Sequence, residues 1–244
     1  MTAFPSILAA ANLIMEPGGV HELRVPKAGR RGTISGYFNS PDALAEAAAR
    51  LDEDPSLKAI YVTLNPCNPA LLARAANRIQ ERAESTTSDA DIVQRQWLLI
   101  DGDPVRPAGI SSTHDEHGGA VAFACGLIDF LRGYGWPEPV VADSGNGAHL
   151  LFRIAEANTP EVTGIIKGLL ARLNQASSTA ALDPDCFRLA RVAVDQTVYN
   201  AARISKLYGT TTRKGDNMPD RPWRRSALLE VPDPLIPVSL KGCV

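Results

Sequence analysis

Trp97-Leu-Leu-Ile-Asp101-Gly-Asp103 is an apolar run ending in two carboxylates, and the fold turns on how it is read. Four consecutive apolar residues suit a strand buried on both faces better than one that alternates. The pattern predicts a strand over Trp97–Ile100 that ends directly in Asp101. Residues i and i+2 of an extended chain point the same way, so Asp101 and Asp103 can face one site. Carboxylates held that close repel each other unless they share a divalent cation. Asp-Gly is equally a common turn pair, and Asp-x-Asp alone is as compatible with a surface turn.

Downstream, a Pro/Gly/Ser/His-rich loop (Pro104–Gly119) leads to helical spacing over Ala120–Leu131. Val140–Ala142 and Ala148–Ile154 read as strands joined by a tight hairpin across Asp143-Ser-Gly-Asn-Gly147. Thr159-Pro160-Glu161 caps a helix reaching about Leu173, Val192–Val194 is a short strand ending in Asp195, and Ser226–Val231 is a last strand candidate. Upstream, Ile7–Met15 is a first helix. Val20–Val25 and Gly32–Phe38 are strands around the basic turn Lys27-Ala-Gly-Arg-Arg31. Ser40-Pro41-Asp42 starts a helix running to Leu51, Ala59–Leu64 is a strand, and a helix is expected over Pro69–Gln80. The polar stretch Glu81–Asp91 separates two modules, 1–92 and 93–244. Strands that alternate with helices and include a hairpin give an α/β chain with mixed sheets and helices on one face.

Bulk properties narrow the function classes. With 244 residues the chain can bury a real core, and a net charge of −2 announces no polyanion partner. Cys67, Cys125, Cys186 and Cys243 form no C-x-x-C pair, which argues against a zinc ribbon and a disulfide framework and suits a reducing cytoplasm. Ile7–Met15 is too short to span a bilayer, and no membrane role is expected. Charge is uneven, however: Arg203 to Arg225 holds seven Lys/Arg against Asp216 and Asp220. Such a stripe is either a solvated loop or a footprint for phosphates.

Two further segments carry chemistry. In Ser144-Gly145-Asn146-Gly147-Ala-His149, small and polar residues permit a turn whose amides point outward, a nest for phosphate oxygens beside an imidazole. A plain hairpin with a hydrogen-bonded histidine fits the same residues. Asp195 ends an apolar strand, and Arg203 and Lys206 follow; on a helix they would sit one turn apart and grip a triphosphate together. His114 and His117 form an H-x-x-H without partner cysteines, a weak metal pattern.

Strand–Asp-x-Asp, Ser-x-Gly-x-His and strand–Asp, in that order, resemble the three motifs of the archaeo-eukaryotic primase superfamily, most of all primase-polymerases of phages, plasmids and other mobile elements. Tyr61-Val-Thr-Leu-Asn65-Pro66, Ala202–Thr210 and Arg213-Lys-Gly215 extend the resemblance over roughly residues 20–225. It implies a single catalytic domain, with 1–92 as an α/β module packed on an RRM-like module, 93–244, and the active site in the cleft between them. It implies two Mg²⁺ or Mn²⁺ ions on Asp101, Asp103 and Asp195, with no zinc. Ser144, Gly145, Asn146, Gly147, His149, Arg203 and Lys206 would bind the nucleotide. Arg213, Lys214, Trp223, Arg224 and Arg225 are expected to follow DNA. The implied partners are single-stranded DNA template and nucleoside triphosphates, with a replicative helicase as a candidate, since larger relatives append one. The implied activity is template-directed primer and DNA synthesis. A repair polymerase that only extends primers shares every residue, and a non-catalytic initiator would keep the nucleotide site. A phosphatase or nuclease explains the Asp-x-Asp but neither Ser144–His149 nor the Arg203–Lys206 pair.

Overall fold

The computed structural model describes residues 3–178 and 191–240, so Cys186 and Cys243 lie outside the described residues. After α1 (Phe4–Ile14), the hairpin β1 (His21–Val25) and β2 (Ile34–Phe38) leads into α2 (Pro41–Asp52) and β3 (Tyr61–Thr63). The Ser40 hydroxyl accepts from the Ala43 N–H with Pro41 in the first turn, the cap expected of those residues.

A β-α-β-β-α-β run follows: β4 (Gln94–Pro104), α3 (His114–Gly133), β5 (Val140–Asp143), β6 (Ala148–Ala157), α4 (Pro160–Ser178) and β7 (Val192–Val194). Its strands lie in the order β5-β6-β4-β7, the RRM-like arrangement expected of this half, with β11 (Ala227–Glu230) added outside β5. Pairings between these strands are antiparallel. The first sheet has the order β2-β1-β3-β8 and takes its fourth strand, β8 (Ile204–Lys206), from beyond residue 93. β9 (Thr211–Thr212) and β10 (Arg224–Arg225) form a small ribbon between the two sheets' segments. One buried apolar cluster joins the modules, from Ile7 and Leu44 through Leu98 and Phe123 to Leu170. No helix among the described residues is long and apolar enough to cross a membrane.

Four expectations need correction. β4 does not stop at Asp101; it runs through Asp103 to Pro104, because β6 and β7 pair with it on both sides. The helix α3 starts at His114 rather than Ala120, where Thr113 and Glu116 form a reciprocal capping box. The expected helix over Pro69–Gln80 is only a 3-10 turn at Pro69–Arg74, because bridges from Ala76 and Gln80 to β2 pull the rest extended. Arg203–Lys206 is not helical: Ile204, Ser205 and Lys206 pair with Thr63, Val62 and Tyr61. Sheet pairing with a distant strand overrides local helix preference there.

Candidate active site

Strand register builds the site. In β4, Leu99, Asp101 and Asp103 alternate onto one face and line a cavity of about 340 Å³ between the two sheets. Gly102 pairs with Val194, so Asp195 falls opposite Asp101, and its N–H donates to the Asp101 carbonyl (2.9 Å). On the other side His149 is the cross-strand partner of Asp101. Opposed residues in an antiparallel ladder share a face. Three carboxylates and an imidazole are thereby brought to neighbouring backbone positions.

Their side chains do not all converge. The Asp103 carboxylate pairs with Arg106 (3.0 Å), whose own side chain is buried. Asp195 accepts from the N–H and hydroxyl of Thr197 (2.8 and 2.7 Å) and pairs with Arg203 (3.3 Å), which turns it out of the cavity lining. Among the described residues no group of three His, Cys, Asp or Glu is arranged to hold a metal as placed. His117, half of the H-x-x-H, pairs with Asp143 (3.0 Å).

The charge at Asp101 is maintained nonetheless. Burial pushes its carboxyl up, but the His149 imidazole, Lys214 and Arg203 outweigh that and hold it below the usual carboxylate range. His149 Nε2 is 3.5 Å from the Asp101 carboxylate, and Nδ1 is 2.8 Å from the Tyr208 hydroxyl. Burial raises the Tyr208 phenol far above its ordinary value. A phenol kept protonated can donate to Nδ1, which leaves the Nε2 proton to face Asp101 and the cavity.

The turn Ser144–Gly147 differs from an open nest. The Gly145 N–H goes to Asp143 Oδ1 (2.6 Å), and the N–H groups of Asn146 and Gly147 go to the Ser144 hydroxyl (3.5 and 3.0 Å). The amides are therefore satisfied inward, and what the turn presents is side chains: Ser144 and Asn146 line the cavity. Asn146 is buried, accepts from the Ser112 N–H (2.8 Å), and keeps its Nδ2 donor without a partner. Gly147 must lack a side chain, since a Cβ there would lie 2.4 Å from the Gly102 carbonyl.

Arg203, Lys206 and Lys214 supply the positive wall. Other members of the basic stripe serve the fold: Arg213 donates to Asp52 and Leu57, Arg224 to Ser112, and Arg225 to the Gly209 carbonyl (2.6 Å). Trp223 Nε1 donates to the Gly215 carbonyl (2.9 Å). Sequence reasoning had no role for Arg106 or Asp52. Their partners lie close in sequence only for Arg106, where Asp103-x-x-Arg106 could have been noticed.

No family model matches the chain, and no curated protein does. Among solved structures it is similar to primase RepB′, with 13% identity and a TM-score of 0.50, covering 93% of this chain and 56% of that one. This chain thus spans little more than half the length of that primase. It is also similar to the AEP domain of the cyanophage S-2L primase-polymerase, with 14% identity and a TM-score of 0.51 over 96% of this chain and 92% of that one. The β-α-β-β-α-β sheet, the first sheet set against it and these likenesses together show that the chain has the fold of the archaeo-eukaryotic primase catalytic domain.

Proposed function

We propose that this chain is a primase-type nucleotidyltransferase that synthesises DNA or primers on a single-stranded DNA template. The observation that carries the reading is the β6-β4-β7 register, which brings Asp101, Asp103, Asp195 and His149 to neighbouring backbone positions, with Asp101, Asp103 and His149 lining the cavity beside Arg203, Lys206 and Lys214. The donor set fits Mg²⁺ or Mn²⁺: hard carboxylate oxygens at adjacent positions, two of them now balanced by guanidinium groups where a cation's charge is called for. Bound there, two metals would activate the attacking 3′-hydroxyl and stabilise the leaving pyrophosphate. The chain's own residues do the rest. Lys206, Lys214 and Arg203 neutralise the triphosphate, His149 donates to a phosphate oxygen, and Ser144 with Asn146 fix its position. The test is incorporation of labelled nucleotide on unprimed and on primed single-stranded DNA with Mg²⁺ or Mn²⁺. Extension of the primed template alone would make this an extending polymerase. No incorporation on either template refutes the proposal.

Removing the imidazole is expected to act mainly on nucleotide binding. A hydrogen bond to a charged group contributes roughly 1.5–3 kcal/mol, so His149→Ala should raise KM for nucleotide by about 10- to 100-fold with a smaller loss of kcat. Tyr208→Phe removes only the group that orients the ring, about 1 kcal/mol, and should raise KM several-fold. An unchanged KM in both variants would make His149 a structural residue.

A pH dependence follows from Lys206. Burial pushes its ammonium down to about 7; Asp52 pulls it back up, and Arg213, Arg225 and Lys214 push it further down. Triphosphate binding favours the charged form, which the free protein loses as pH rises through 7. Nucleotide affinity should therefore fall between pH 7 and 9, by up to about tenfold per unit. In stability the sign is opposite: between about 7 and the ordinary lysine value the unfolded chain binds the extra proton, so the fold gains stability with rising pH. Titrating nucleotide at fixed metal across pH 6.5–9 reads the first effect, and Lys206→Arg should flatten it. A flat profile for the parent protein removes Lys206 from the phosphate site.

A further inference from the structure

The end of the first sheet beside the cavity carries cations that no acid balances among the described residues. Lys27 and Arg30 on the β1–β2 turn, Lys58 ahead of β3, and Arg78 and Arg82 along the outer edge of β2 are all exposed. None of the five enters an ion pair among the described residues, whereas Arg31 in their midst is balanced by Asp54 (3.2 Å) and Glu81 (2.7 Å). Glu53 and Glu84 are exposed acids in the same segments, Glu81 is exposed but engaged by Arg31, and Glu46 lines a groove with Arg78.

The backbone there is unusual as well. Lys27, Asn77 and Arg82 are the non-glycine residues with left-handed φ among the described residues, at 54°, 49° and 50°; Lys27 and Arg82 lie at this end of the sheet, whereas Asn77 donates to the Tyr37 carbonyl at the other end of β2. Residues with side chains adopt that conformation only when surrounding contacts impose it, and such positions gather at functional surfaces. Here the Arg82 N–H donates to the Arg31 carbonyl (2.8 Å), and Arg82 Nε donates to the Arg30 carbonyl (3.2 Å). The two basic segments are tied together.

Register connects this surface to the cavity. Arg24 pairs with Tyr61, Tyr61 with Lys206, and Val25 with Ile34, so the β1–β2 turn, Tyr61 and Lys206 share one end of the sheet. Pro26, Tyr61, Lys206 and Lys214 line the cavity at that end. Four strands about 4.8 Å apart span roughly 15 Å, from Lys206 on β8 to Arg30 and Arg82 beside β2. A cavity of about 340 Å³ is the size of a pocket for one small ligand, not for two paired strands.

We propose that this sheet end is the track of single-stranded DNA, whose phosphates follow Arg82, Arg30, Lys58 and Lys27 toward the cavity. The identity of the strand as template rests on the polymerase reading; its binding does not. The experiment measures anisotropy of a labelled single-stranded oligodeoxynucleotide, without nucleotide or metal, over a series of salt concentrations. The neutral variant is Lys27→Asn, Arg30→Gln and Arg82→Asn together, asparagine being chosen because it tolerates left-handed backbone. Its affinity should fall on the order of tenfold or more at low salt. Its log–log salt slope should shrink by about 2, at about 0.7 per lost phosphate contact. Arg30→Gln alone, at a position without left-handed backbone, should give about a third of the slope change, and Arg30→Lys with Arg82→Lys should restore parent behaviour. Affinity and slope equal to the parent in both neutral variants would overturn the track. If the parent incorporates nucleotide while the variants bind DNA normally, only the track falls. If the parent never incorporates nucleotide yet the variants lose DNA, the polymerase reading falls and the track stands.

Discussion

Asp101→Ala, Asp103→Ala and Asp195→Ala are each expected to cut nucleotide incorporation by on the order of a thousandfold or more while the protein stays folded. A metal site that loses one carboxylate loses charge balance and geometry together, several kcal/mol of transition-state stabilisation at about 1.4 kcal/mol per tenfold in rate. The three substitutions should differ in their side effects. Asp101 lines the cavity beside His149, so its loss leaves the fold nearly untouched. Losing Asp103 strips the buried Arg106 of its carboxylate, although the Pro104 and Ile110 carbonyls still accept from that guanidinium. Losing Asp195 frees Arg203, which already lines the cavity. Incorporation assays with circular dichroism melts as the folding control read all three, and Mn²⁺ titration of each variant should show weaker metal binding. Near-normal primer extension by Asp103→Ala would show that the metal assignment is wrong.

The site was legible where its residues lie in short apolar strands, and it was hidden where distant pairing decides. Trp97–Ile100 announced β4, and Asp143–Gly147 announced the hairpin, because continuous apolar runs and small turn residues are local signals. Asp101-Gly-Asp103 suited an extended pair facing one site and a surface turn alike, and pairing with β6 and β7 on either side keeps it extended. Ser144 and Asn146 stand out in the sequence, but that the Ser144 hydroxyl takes the Asn146 and Gly147 amides depends on how the turn folds back on itself. Residues 203–206 have helix-tolerant composition, and a pairing with β3 some 140 positions earlier makes them a strand. Contacts across 59 and 161 positions likewise hid Tyr208 behind His149 and placed Arg213 against Asp52 rather than against solvent. A charge stripe in a sequence carries no information about which acceptors the fold will bring to it.

Asp52→Ala should be the most destabilising single change among the charged residues discussed, at about 3–5 kcal/mol. Asp52 is the last residue of α2, buried, and its carboxylate accepts from the Thr211 N–H (2.8 Å), the Thr211 hydroxyl (3.1 Å) and Arg213 (3.2 Å), with Arg225 at 3.3 Å. Arg213 is itself 10% exposed, so removing the acid leaves a buried guanidinium with only carbonyl partners, Asp52 O and Leu57 O. One effect runs the other way. An acid at a helix C-terminus is repelled by the helix dipole, and its removal returns roughly 0.3–1 kcal/mol, too little to change the sign. For a chain of this size the melting temperature should fall by on the order of 10 °C. Asp52 is also the one neighbour that draws the Lys206 ammonium upward, so the variant should bind nucleotide more weakly at pH 7 and regain affinity at lower pH. Thermal melts of Asp52→Ala, Arg213→Ala and the double variant complete the test. The double loss should be well below the sum of the singles, because the second deletion removes a charge already stranded by the first. A melting temperature within a degree or two of the parent would mean that water replaces the carboxylate at no cost, and that residues 211–225 are anchored to α2 by something else.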